Sequence, residues 1–139
     1  MNLKRAIGVG LLTYLASFII GIIIMFAMGV DPSQGSEIPK SAFIVNIIIT
    51  LILAGLFTLF YFKDKKIKRS AKEGFMFGIV LIIIGFILDI IIFTLTSMMT
   101  TTQVDLLEYY SDPLFWIAII LFLLTTTIVG AIKEKKKKR

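Results

Sequence analysis

Asp89 is the only charged residue well inside any of the four long apolar runs that make up most of this chain. A carboxylate at such a depth costs about 2.5–3.5 kcal/mol even on a lenient membrane-insertion scale. No Lys, Arg or His shares those runs with it. Three kinds of chemistry fit a lone acid of this sort. It can be a protonated structural lock, hydrogen-bonded to a neighbouring helix. It can hold a proton or a cation. It can pair with a basic residue in the span of another chain. Counting along the runs at helical rise, and taking the helices as nearly upright, Ser17, Asn46 and Thr50 come to the depth of Asp89. These four residues form the candidate intramembrane polar site.

Other chemistries lack their residues. With no Cys and no His, thiolate and imidazole metal sites and Cys or His catalysis are excluded. Phosphate-binding loops, dinucleotide loops, zinc-protease helices and nucleophile elbows are absent from the sequence. Asp105, Glu108 and Asp112 lack the spacing of a calcium loop. The expectation is a non-enzymatic protein with no metal and no cofactor.

The elements that position Asp89 follow from composition. Of 139 residues, 58% are hydrophobic, and the mean hydropathy is +0.95. A water-soluble domain of this size has too much surface for its volume to hide so much apolar area. Lipid as solvent permits only helices or closed barrels. Barrel strands alternate with period two, whereas runs such as Ile19-Ile20-Gly21-Ile22-Ile23-Ile24 do not. The expected fold is therefore all-α: a membrane-embedded bundle of four transmembrane helices in one domain. The spans run over roughly 6–28, 41–62, 74–99 and 113–132, with a basic tail at 133–139. Each is about the ~20 residues that cross a bilayer core. The first run is longer than the apolar core of a signal peptide and is read as a retained helix.

Charge sets orientation. Of 15 Lys and Arg residues, all but Lys40 lie in the N-terminus, the 63–73 loop or the tail. Four spans put these three segments on one side, and the positive-inside rule makes that side the cytoplasm, with both termini there. The implied location is the cell (plasma) membrane, with multiple passes. Lys65, Lys66, Lys68 and Arg69 in the loop, with Lys135, Lys136, Lys137, Lys138 and Arg139 in the tail, are candidate contacts for anionic lipid headgroups. Nucleic acid is not expected, because no stacking platform or binding fold adjoins the basic runs. Tyr61, Tyr109, Tyr110 and Trp116 fall near span ends, where aromatic rings favour headgroup depth.

Small residues mark helix seams. Gly74, Gly78, Gly85 and Asp89 share one face of the third run, Gly10, Ser17 and Gly21 one face of the first, and Asn46, Thr50, Ala54 and Thr58 one face of the second. Gly10, Gly21, Gly74, Gly78 and Gly85 are the expected packing positions. A shift of 68 residues sets Gly78 on Gly10 and Phe86 on Phe18, suggesting two duplicated hairpins related by an axis along the membrane normal.

The segment Lys72-Glu73-Gly74-Phe75-Met76-Phe77-Gly78, followed by Gly85 and Asp89-Ile90-Ile91-Ile92-Phe93, resembles the third span of a broad group of small four-span prokaryotic membrane proteins of unknown function. The resemblance implies the four-span topology and singles out Asp89. The expected role is that of a structural or accessory subunit associating through its Gly and Thr faces, as a homo-oligomer or with a larger membrane partner. The alternative is a small proton- or cation-coupled transporter, or a channel-like oligomer, using Asp89.

Overall fold

A computed structural model describes residues 1–29, 39–99 and 110–132. Helix is the only regular structure among them: α1 (Leu3–Ala27), α2 (Lys40–Tyr61), α3 (Ala71–Met99) and α4 (Pro113–Ala131). Each is long and apolar enough to cross a membrane. The tail residues 133–139 and the acids Asp31, Glu37, Asp105 and Glu108 lie outside the described residues.

Local chemistry fixes the helix ends. Asn2 caps α1, its side-chain oxygen accepting from the Arg5 N–H at 3.2 Å. Gly29, at φ 71°, takes the left-handed turn that stops α1. Asp112 caps α4 by accepting from the Leu114 N–H at 2.9 Å, and Pro113 occupies a first-turn position that needs no N–H. The third helix begins at Ala71 rather than near Gly74. The Ser70 hydroxyl oxygen accepts from the Glu73 N–H at 3.1 Å, and Glu73 places negative charge in the first turn.

The helices alternate in direction along the chain and stand at the corners of a square, so that the neighbours α1 and α3 run parallel, as do α2 and α4. One end of the bundle, here the terminal end, holds the start of α1 and the end of α4; the other is the far end. Arg5 at the start of α1 donates to the Tyr61 and Phe60 carbonyls at the end of α2, at 3.0 and 2.8 Å. Tyr61 donates from its hydroxyl to Glu73 Oε1 at the start of α3, at 2.7 Å. A Cβ added to Gly130, near the end of α4, would meet the Gly74 backbone of α3. Around the square α1 packs on α2 and α3, and α4 packs on α2 and α3. The 62–70 connection therefore joins helices that sit on a diagonal. This order does not fit the axis that a duplication of the hairpins would need, and leaves the 68-residue match as a chance alignment of Ile-rich helices. A twofold along the bundle relating the two hairpins would set α1 diagonally opposite α3, but the two are neighbours.

The terminal end is solidly packed. Ala6, Val9, Tyr61, Phe62, Ile67, Phe77 and Leu81 form its core, with Ile67 contributed by the diagonal connection. Tyr61, expected at headgroup depth, is fully buried and stacks on Phe77 with ring centroids 4.2 Å apart. Its hydroxyl reaches Glu73, so the ring serves the core while the polar tip is satisfied. Large aliphatics face outward along the helices instead: Ile23 is 59% exposed, Ile52 57% and Ile120 58%. Small residues inside and branched ones outside are what a bundle surrounded by apolar solvent requires.

Candidate functional site

Each small-residue stripe divides at the same level of the bundle. Toward the terminal end the stripes pack tightly. A Cβ on Gly74 would run into the Thr126 carbonyl, and one on Gly78 into the Thr126 hydroxyl. A Cβ on Gly10 would lie 2.5 Å from Ile84 Cδ1. Ala54, Thr58 and Thr126 are buried in these seams. The seam hydroxyls bond to their own helices: Thr58 donates to the Ala54 carbonyl at 2.6 Å and Thr126 to that of Leu123 at 3.0 Å. They pack as small side chains with their polarity spent, and form no polar path.

Toward the far end the same stripes part around a cavity of about 470 Å³ lined by all four helices. Asp89, Ser17, Asn46 and Thr50 all stand on its wall, as does Gly85. The four polar residues expected to meet are thus brought to one cavity, but they do not hydrogen-bond to one another. The Asp89 carboxylate is held by Tyr14 of α1, whose hydroxyl donates to Asp89 Oδ1 at 2.6 Å. The second carboxylate oxygen has no hydrogen-bond partner among the described residues, and neither ion pair among them includes Asp89. Asn46 lies against Gly21: a Cβ there would come 3.2 Å from Asn46 Oδ1. The Ser17 hydroxyl oxygen is buried with no partner among the described residues. Gly85, expected in a seam, faces open space, with nothing within 4 Å of an added Cβ.

The cavity has a polar side and an apolar side. Among the described residues, its polar side chains apart from Asp89 come from α1 and α2. Helix α4 contributes only Phe115, Ala118, Ile119 and Phe122. Phe86 and Phe115 meet edge to face at 5.9 Å, and Tyr110 packs on both at 5.4 and 5.1 Å. Burial raises the Tyr110 phenol above its ordinary range, and the charge of Asp89 raises it further. Trp116 is exposed and donates from its indole N–H to the Tyr110 carbonyl at 2.9 Å. No group of three or more acids that would hold a metal occurs among the described residues.

At the terminal end Lys65, Lys66 and Lys68 are exposed. Arg69 places its guanidinium 5.8 Å from the Phe62 ring centroid. The tail residues Lys135, Lys136, Lys137, Lys138 and Arg139 lie outside the described residues.

Two residues with defined roles were not evident as such in the sequence. Tyr14 fills the gap in the α1 stripe between Gly10 and Ser17, four residues past one and three before the other. A phenol at mid-run, where every hydroxyl needs a partner, was the available signal. Arg5 reads as a topology charge but also closes the end of α2, with its guanidinium 5.6 Å from the Phe60 ring centroid and 3.8 Å from Asp64 Oδ2. No protein-family model, curated protein or solved structure matches this chain, so the role of the site rests on its own residues.

Proposed function

We propose that this is a small, non-enzymatic multi-pass protein of the cell membrane, with both termini cytoplasmic, that takes up a proton or cation at Asp89 as part of moving a solute. The observation that carries this reading is the carboxylate on the wall of a cavity of about 470 Å³, with one oxygen held by Tyr14 and the other lacking a partner among the described residues. A buried acid serving only as a lock would spend its bonds on a neighbouring helix. Asp89 bonds through one oxygen to Tyr14, and among the described residues its other oxygen is left for a guest. The exposed Lys65, Lys66 and Lys68 support a cytoplasmic terminal end resting on anionic headgroups, at about 1 kcal/mol per basic residue.

Association with a partner through Gly and Thr faces is the weaker reading. Gly10, Gly74, Gly78, Thr58 and Thr126 are already consumed inside the bundle.

The test is flux in proteoliposomes under an imposed gradient, with a trapped pH dye for protons and ion-selective dyes for sodium and potassium. Wild type should show gradient-driven flux, and Asp89→Asn should remove it. Equal flux in the two proteins would sink the reading, as would the absence of any flux.

A further inference from the structure

The lining of the cavity bears on which kind of cation would suit a place beside Asp89. A bare inorganic cation needs a cage of oxygens, six to eight in the case of calcium. Among the described residues, Asp89 is the only polar side chain that α3 contributes to the lining, and α4 contributes none. Of the hydroxyls on the opposite side, Thr13 is already committed, donating to the Val9 carbonyl at 2.7 Å. Among the described residues, the other side-chain oxygens lining the cavity come from α1 and α2, on one side of it, which does not favour a closed cage around Asp89.

Aromatic rings are what the cavity has in number, and they come from every helix: Tyr14 and Phe18, Phe43, Phe86 and Phe93, Phe115 and Phe122. Ring faces attract cations, most usefully those with little hydration to lose, such as substituted ammonium groups. Apolar walls with one fixed charge suit a guest with an apolar body and a single positive centre. At ~30 Å³ for each water-sized atom, the cavity holds roughly fifteen non-hydrogen atoms.

We infer that the cavity beside Asp89 takes an apolar organic monocation, an alkyl- or arylammonium of this size. Its charge lies on the Asp89 carboxylate and its body among the rings of α3 and α4. The inference rests on the reading of Asp89 as a cation site and adds the chemical class of the guest. Gly85 leaves room for it: no atom lies within 4 Å of where its Cβ would be.

The test uses radiolabelled benzyltrimethylammonium, a fixed cation that cannot exchange a proton, and purified full-length protein in a non-ionic detergent. Equilibrium dialysis against protein-free micelles reads the binding. Saturable binding is expected, weakened about tenfold or more by Asp89→Asn. Gly85→Phe, which fills the cavity and leaves the carboxylate in place, should abolish it while the thermal transition is retained. Sodium or potassium at ~100-fold excess should displace little of the probe, since either would have to shed its water into apolar walls. No saturable binding, binding indifferent to both substitutions, or displacement by sodium as effective as by unlabelled probe would each overturn the inference. Proton or sodium flux without probe binding removes this inference and leaves the broader reading standing. Loss of both flux and binding removes the two together.

Discussion

The hydroxyl of Tyr14 and the carboxylate of Asp89 lie 2.6 Å apart, across the α1–α3 contact. A hydrogen bond to an ionised group contributes about 1.5–3 kcal/mol, more than a neutral pair. Tyr14→Phe should therefore lower stability by about 1–3 kcal/mol when Asp89 is present and by much less in an Asp89→Asn background. A double-mutant cycle on detergent-solubilised protein, read by thermal denaturation, measures this coupling, and strictly additive effects would refute it. Asp89 itself was legible in the sequence because charge inside an apolar run is conspicuous. Its partner was not. Ser17, Asn46 and Thr50 match it in depth, but a phenol reaches farther than a hydroxyl on a short stem, so Tyr14 makes the bond from one turn nearer the terminal end. Depth along a helix can be counted in sequence, whereas side-chain reach across a seam cannot.

At the scale of the element, α3 carries glycines that look equivalent by spacing and are not. Gly74 faces the Thr126 backbone, while Gly85 faces the cavity. Gly74→Ala should destabilise the bundle by about 1–3 kcal/mol, because the obstacle is main chain and cannot rotate away. Gly85→Ala should be neutral or stabilise by up to ~1 kcal/mol through helix propensity alone. Thermal transitions of the two variants give the comparison, and similar losses in both would show that α3 is packed along its whole length. The sequence marks the face on which these residues lie because the 3.6-residue period is written in it. What stands opposite that face depends on the neighbouring helix. The same holds on α2, where Ala54 and Thr58 fill a seam while Asn46 and Thr50 border open space.

For the whole molecule, composition and charge carried most of what was legible. Four apolar runs and three basic segments suffice to give four helices and to group their ends. The order of the helices around the square was not legible, since periodicity names a buried face but not its partner. The expected orientation can be checked directly, because the chain has no native Cys to confuse labelling. Lys66→Cys and Asp112→Cys lie at opposite ends of the bundle. A membrane-impermeant thiol reagent added to intact cells should label the second and spare the first until the membrane is opened. Labelling of the first in intact cells would reverse the orientation.

The diagonal run of the 62–70 connection bears on how the cavity comes to exist. Helices α1 and α2 pack as one hairpin and α3 and α4 as another, and the square closes only where these units meet. Neither hairpin alone encloses the space beside Asp89: the acid belongs to one, and the tyrosine that holds it belongs to the other. The pocket is thus a product of assembly within a single chain. A guest of the proposed kind would touch both halves there, so its binding would add to the cohesion of the fold.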